Sequence, residues 1–506
     1  MYWHAICIDF NSLHKNDKSG YTDAKDDHEM TQEIGRPSEG SSIVKQQNRK
    51  LVMMIMILTA GLLVPKIYVI PGLGQEGTTM LGITFIAALL WMTEAVSIGV
   101  TGLVIILLQS VTGILPLRTG LAFIANPVNA VVLVGFLLAA ALVQCGLDKR
   151  ISLLIITRMG EKTSRLMLGM MVSAAFLSMW MSNTATVAIM VPIAVGILKM
   201  AGAEPLKSSV GKSMLIGIAY AANIGGMGTP TGTPANPITI ALLRELADIQ
   251  LSFLDWMVIA LPLVVLLVPL TWLLLMKIYP HEIKMIHGGL DKVKNELKDM
   301  GRIQGEEKKV LFIFGLAISL WLLDSFVPIH PDWLYIVSVF MTVYIVTPRL
   351  GVLTWKKAQH SIGWDVLFLV GGGLSMGSGL SATGVIEWIA AMLSSHINDS
   401  GYLAALFIVS IATALGITIF CSLSGTATTF VPVAIGLSLS FNWNPVSFAM
   451  MAGLASSFAF ILPANAAPNA VAYGAGYFRT QDMAKVGVMT VLLSVVVLNF
   501  VAFMFF

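Results

Sequence analysis

The sequence predicts an all-α polytopic membrane protein made of two inverted repeats, with about 11 transmembrane helices and two re-entrant hairpins. Three observations carry that prediction. The 506-residue chain is 56% hydrophobic and 12% charged, with a mean hydropathy of +0.81, whereas soluble domains carry about 25% charged residues. Apolar runs of about 20 residues recur along it, the length a helix needs to cross a bilayer. Finally, the polar stretch Ser178-Met179-Trp180-Met181-Ser182-Asn183-Thr184-Ala185-Thr186 returns as Thr418-Ile419-Phe420-Cys421-Ser422-Leu423-Ser424-Gly425-Thr426. Laid together without a gap, Ser178 falls on Thr418, Ser182 on Ser422, Thr184 on Ser424, Thr186 on Thr426 and Pro192 on Pro432. The net charge of +3 is too small to suggest a nucleic-acid partner, and Cys7, Cys145 and Cys421 form no metal or redox motif.

Residues 1–50 are polar and of mixed charge and read as a disordered cytoplasmic tail. The first membrane half is 51–279. Its first span, 51–70, follows Arg49 and Lys50, which places the N-terminus in the cytoplasm. Spans near 79–93, 97–115 and 129–146 come next, and Lys149, Arg150, Arg158, Lys162 and Arg165 mark a cytoplasmic connection. The apolar stretch 166–198 has positive charge at both ends, Arg165 and Lys199, and a polar triplet in its middle. A straight span would separate those charges across the membrane; a hairpin entering from the cytoplasm and turning at Ser182-Asn183-Thr184 keeps them together. The next span, 213–243, is broken by the Gly- and Pro-rich run Gly225 to Asn236. A span near 257–276 then returns to a basic cytoplasmic linker, 280–309, holding Lys284, Lys292, Lys294, Lys298, Arg302, Lys308 and Lys309.

The second half, 310–506, repeats this order upside down. Spans near 310–327, 333–347 and 364–386 precede a hairpin at 402–440 whose ends lack Lys and Arg, so that it enters from outside. A broken span at 445–478 holds Pro463 and Asn469 at the spacing of Pro230 and Asn236, and the last span, about 486–506, leaves the C-terminus on the extracellular side of the plasma membrane. Two inverted halves, each with a hairpin and a broken helix, are the build of a secondary transporter whose site lies between the repeats near the midplane.

The breaks expose backbone groups that must find partners. Half-helix N-termini suit an anion, and unwound carbonyls with Ser and Asn oxygens suit a hard cation such as Na+. No Lys or Arg occurs in 166–198, 213–243 or 402–478, so a dianion bound there needs helix dipoles, hydroxyl and amide donors, and co-bound cations. Cation-coupled anion transport follows as the expectation. The plainer alternative is that these hydroxyls bond back to their own helices and the glycines serve packing; two polar triplets in register, each followed by a Gly/Pro/Asn break, weigh against it. Glu94 and Asp365 lie near span ends and read as interfacial or capping residues. An enzyme would need a nucleophile with its base, or metal ligands, inside the bundle, and neither falls in the hairpins; a passive channel fits paired hairpins less well than alternating access does.

Trp91-Met92-Thr93-Glu94-Ala95, Ser182-Asn183-Thr184, Ile224-Gly225-Gly226 through Gly232-Thr233-Pro234, and Gly371-Gly372-Gly373-Leu374 resemble the divalent anion/sodium symporter family, the di- and tricarboxylate transporters, over about Leu51 to Phe506. The resemblance implies a homodimer in the bilayer, each subunit with a scaffold and a transport domain that moves as an elevator. It implies a first Na+ site at Ser178, Ser182, Asn183 and Gly232, and a carboxylate site with Ser182, Asn183, Thr184, Thr233 and Pro234 on one side and Ser422, Ser424, Thr426 and Asn465 on the other. A second Na+ site would comprise Thr418, Cys421 and Asn465. Here the chain departs from the family: Leu423 replaces the expected asparagine, and Asn465-Ala466-Ala467-Pro468-Asn469 replaces a small residue followed by Thr-Pro-Pro-Asn. Asn465 is read as restoring the lost amide from the opposing loop. The implied function is sodium-coupled symport of a C4-dicarboxylate such as succinate, malate or fumarate, with sodium-independent exchange of organic anions as the alternative and sulfate or citrate as less favoured substrates.

Overall fold

Helix follows helix from Glu39 to Phe505, and a computed structural model describes residues 39–506 except 287, 328 and 398–400, with side chains from residue 48 onward except 393–397. Among the described residues no strand forms; Lys162 and Met285 make an isolated bridge. The first half contains α1 (Glu39–Ile67), α2 (Gly74–Thr93), α3 (Ile98–Val111), α4 (Leu117–Ala122), α5 (Val128–Cys145), α6 (Leu147–Thr157), α7 (Thr163–Ser178), α8 (Asn183–Met200), α9 (Ser209–Gly226), α10 (Ala235–Ala247) and α11 (Phe253–Ile278). The linker contributes α12 (Gly289–Asp299). The second half contains α13 (Gly305–Leu323), α14 (Trp333–Val346), α15 (Trp355–Ser361), α16 (Trp364–Ala382), α17 (Val385–Ile397), α18 (Gly401–Phe420), α19 (Leu423–Ser440), α20 (Pro445–Ala455), α21 (Ala467–Gly474) and α22 (Thr480–Phe505). Residues 54–506 form one compact body.

From α2 to α11 and from α13 to α22 the order of long, short and paired helices is the same. The packing is reciprocal: α3 lies against α16 while α5 lies against α14, and α8 lies against α21 while α10 lies against α19. Such exchange of partners is what a two-fold relation between halves produces. Tyr279, just past the end of α11, donates to the Asp482 carbonyl in the first turn of α22 at 2.9 Å, so these packed, corresponding helices run antiparallel. The halves are therefore inverted with respect to each other.

Both hairpins close back on themselves. Thr163, which opens α7, donates its N–H to the Lys284 carbonyl at 3.1 Å, and the far end of α8 meets the same linker, since a side chain on Gly196 would collide with Lys292. Tyr402 on α18 and Trp443 beyond α19 pack edge to face at 5.8 Å between centroids. The arms of the first hairpin extend a turn beyond 166–198 because Thr163, Ser164 and the exposed Arg165 supply a polar first turn.

Nine helices among the described residues are long and apolar enough to cross a membrane, three of them hairpin arms. The halves of the broken spans do not count: α10, α20 and α21 are too short, and α9, at 18 residues, is not apolar enough. Val265 and Leu273 on α11, Val339 and Val343 on α14, and Val496, Phe500 and Phe503 on α22 are exposed, a surface made for lipid. Close helix contact comes from small residues, the α3–α16 pair meeting where Gly372 faces the backbone of Gly102.

One boundary needs correction. Residues 39–50, assigned from sequence to a disordered tail, belong to α1: from Ser41 to Lys50 neither Gly nor Pro interrupts, and the helix propagates back from its apolar core. Residues 1–38 lie outside the described residues. The basic linker is likewise ordered in part as α12, an amphipathic helix that buries Leu290 and Val293 and turns Lys294 and Lys298 outward.

Arg150 fixes that linker. Its Nε donates to Glu307 Oε1 at 2.6 Å, and its Nη1 and Nη2 donate to the carbonyls of Gly301 at 2.9 Å and Met300 at 3.0 Å. Glu307 also accepts from the Gln304 N–H at 2.7 Å. Burial alone would raise the Glu307 carboxyl, but the Arg150 and Gln304 bonds outweigh it and hold the group below the ordinary glutamate range. Its contribution is present above the unfolded pKa and is lost as pH falls through the folded one. Glu307→Ala leaves a buried guanidinium without its counter-charge and is expected to cost about 3–5 kcal/mol, read as a lowered unfolding temperature of the detergent-solubilised protein, with Glu307→Gln losing less. A Glu307→Ala protein as heat-stable as the parent would show that the pair does not hold this end of the bundle.

Candidate functional site

The breaks in α9–α10 and α20–α21 are built on one plan. Asn236 Nδ2 donates to the carbonyls of Gly226 at 2.9 Å and Thr229 at 2.7 Å. Asn469 Nδ2 donates to those of Ala459 at 2.6 Å and Leu462 at 3.2 Å. Aligned on Pro230 and Pro463, these are the same two positions in each break. Other orphan carbonyls are met by Trp256, whose Nε1 donates to Met227 at 2.9 Å, and by Tyr220, whose hydroxyl donates to Phe460. The helices can open because polar side chains take over the released groups.

The hairpin tips follow a common plan too. Ser182 Oγ caps α8, accepting from the Ala185 N–H at 3.2 Å, and Ser422 Oγ caps α19, accepting from the Gly425 N–H at 3.2 Å. Each tip therefore presents a helix N-terminus, with its positive end of the helix dipole, beside a break. At the first tip Ser178 Oγ donates to Asn183 Oδ1 at 2.6 Å, Asn183 Nδ2 reaches Asn223 Oδ1 at 3.4 Å, and Asn223 Nδ2 donates to Asn469 Oδ1 at 2.9 Å. This chain of amides ties the first hairpin to both breaks. Asn223 was not singled out from sequence; the available signal was an amide inside the otherwise apolar, wholly buried run Ala221-Ala222-Asn223-Ile224.

The structure brings Ser178, Ser182 and Asn183 together with the first break. A side chain on Gly226 would strike the Asn183 amide, and one on Gly232 would strike the Gly226 carbonyl, so both positions require the close backbone approach that glycine allows. Thr229 Oγ1 donates to the Met179 carbonyl, joining the loop to the hairpin turn. Ser182 is exposed, Thr184 and Pro234 are half-buried, and Thr233 is buried beneath them. Asn236 Oδ1 and Thr186 Oγ1 are buried oxygens without hydrogen-bond partners. The region thus offers hydroxyls, amides, carbonyls and a helix N-terminus, which suit Na+ or a carboxylate and no proton-transfer chemistry.

The second tip differs. Thr418, Cys421 and Asn465 do come together: Asn465 Nδ2 lies 3.3 Å from the Thr418 carbonyl and 3.6 Å from Cys421 Sγ. Cys421 turns the chain with φ +50°. Ser422 and Leu423 are half-buried, whereas Ser424 and Thr426 are buried, and Thr426 Oγ1 donates back to the Ser422 carbonyl at 2.8 Å. Trp91 of the Trp91–Ala95 motif packs beside this tip, against Gly425, and Asp365 accepts from Ser97 Oγ at 3.1 Å in the first turn of α16.

Residues 45–506 match the family model described as the sodium:sulfate symporter transmembrane region. A protein of Staphylococcus saprophyticus subsp. saprophyticus named sodium-dependent dicarboxylate transporter SdcS is 33% identical over 453 residues, 85% of this chain and 86% of that protein. Its namesake in Staphylococcus aureus strain RF122 is 32% identical over 450 residues, 85% of this chain and 86% of that protein. Among solved structures, the Alcanivorax borkumensis YdaH transporter aligns with a TM-score of 0.49 at 13% identity, covering 76% of this chain and 86% of that one. The chain is a multi-pass membrane protein that belongs to the sodium:sulfate symporter family.

Proposed function

We propose that this protein is a secondary active transporter that couples uptake of a C4-dicarboxylate, such as succinate, malate or fumarate, to Na+. The observation that carries the reading is the meeting of the first hairpin tip with the first break, a cluster of oxygens and N–H groups in segments 166–198 and 213–243 that hold no Lys or Arg. A dianion held by dipoles and neutral donors alone is poorly compensated, and a cation bound beside it supplies the missing charge. The names of the Staphylococcus relatives support the same substrate class and ion.

In this reading Ser178, Ser182, Asn183 and Gly232 hold Na+. Ser182, Thr184, Pro234 and Ser422 face the substrate, and Thr233, Ser424 and Thr426 support them from the buried layer. The hairpins and broken helices move as one body against a scaffold, in a homodimer in the plasma membrane. The linker meets the basic segments after α5 and after α14, as in the Lys149–Glu296 ion pair at 3.1 Å and the Lys309 Nζ bond to the Arg349 carbonyl at 2.8 Å. That gathering supports a cytoplasmic face there, with the N-terminus inside and the C-terminus outside.

Proteoliposomes should take up labelled succinate saturably under an inward Na+ gradient and not when K+ replaces Na+, with excess sulfate competing poorly. Uptake indifferent to Na+ but dependent on succinate preloaded inside would identify an exchanger instead. Asn183→Ala should reduce Na+-driven uptake about tenfold at limiting Na+, the loss expected when a buried polar partner worth more than about 1 kcal/mol is removed. Unchanged uptake would remove Asn183 from the site.

A further inference from the structure

The common plan makes the point of departure visible. Two residues beyond the proline of each break stands Gly232 in the first and Asn465 in the second. Gly232 contributes no side chain. Asn465 reaches across to the hairpin, and its Nδ2 donates to the carbonyls of Ile417 at 3.4 Å and Thr418 at 3.3 Å, the last turn of α18. Its Oδ1 is committed in the other direction, accepting from the Leu462 N–H at 2.7 Å. Asn465 is fully buried. The amide therefore points hydrogens, and not a lone pair, at the hairpin carbonyls.

The surroundings change in the same sense. Leu423 stands where the first tip has Asn183, and Ala459 stands where the first break has Gly226. Ile417, Ala459 and Ala466 form a buried apolar cluster against which Leu423 packs. Volume and polarity left to amide and backbone at the first tip are here taken by methyl groups. A hard cation needs several oxygen acceptors turned inward, and an amide N–H pair directed at those acceptors both occupies and satisfies them.

We propose that the second break carries no Na+ site: the Asn465 side chain replaces the cation, Leu423 and Ala459 fill its cradle, and coupling runs through the first break alone. The inference rests on the reading of the first break as the Na+ site. It makes this transporter asymmetric in ions although its helices are symmetric, with fewer Na+ per substrate than two equivalent sites would give.

Counting bound ions tests it directly. For the purified protein in detergent, with choline balancing ionic strength, unfolding temperature rises with the logarithm of Na+ concentration at a slope proportional to the ions bound. The parent should show a slope of about one ion and the triple variant Leu423→Asn, Ala459→Gly, Asn465→Gly about two. Should the triple variant not fold, the ratio of radioactive Na+ to succinate taken up by parent proteoliposomes gives the same count, with about one site's worth expected. A two-ion slope in the parent that falls to one in Asn465→Ala would overturn the inference and leave sodium symport standing. Absence of any Na+ stabilisation in the parent would contradict the symport reading and this inference together.

Discussion

Backbone groups released inside a bilayer must be bonded by something, and that constraint organises this molecule. A helix broken at Gly225–Asn236 frees carbonyls that lipid cannot solvate, each costing several kcal/mol if left alone. Asn236 and Trp256 take them up on one side, and Asn469 and Tyr220 do so on the other. The breaks persist because the surrounding helices, small-residue packed and antiparallel between halves, bring those side chains to the right places. In the function proposed above, the oxygens and N–H groups left over near the hairpin tips take their partners from outside the chain.

The reciprocity of helix contacts gives each half the same frame, and Asn236 with Asn469 shows how far the likeness reaches, down to single hydrogen bonds. Against such a frame, single replacements acquire meaning. Gly226 with Asn183 makes a polar corner; Ala459 with Leu423 makes an apolar one. At the second corner the Asn465 amide satisfies the carbonyls of Ile417 and Thr418, where the first break has only Gly232 at the same position. With Leu423 at the second tip, Asn465 is the side chain that satisfies the carbonyls of Ile417 and Thr418.

Much of this was readable from the chain. The in-register triplets, the Pro230–Asn236 and Pro463–Asn469 spacing and the like charges flanking 166–198 are local patterns, and local patterns report hairpins and breaks well. What the sequence hid depends on contacts between distant segments. Asn223 looks like a lone amide until Asn183 and Asn469 are seen on either side of it. Asn465 was legible as a replacement for the missing amide, but whether it presents oxygen or hydrogen to the hairpin depends on the Leu462 N–H, which only the folded loop places. The short helices α6 and α12 and the backward extension of α1 over residues 39–50 were missed because their composition is polar or mixed, and α17, though apolar, because its 13 residues are too few for a span.

The most direct test of the account is a cryo-electron microscopy map of the protein in lipid nanodiscs with Na+ and succinate, at a resolution that shows ions. The account predicts cation density between the first hairpin tip and the first break, beside Ser178, Asn183 and Gly232, with succinate lying between the two tips and the Asn465 amide still on the carbonyls of Ile417 and Thr418. Cation density at the second break with Asn465 turned away, or succinate bound elsewhere, would contradict it.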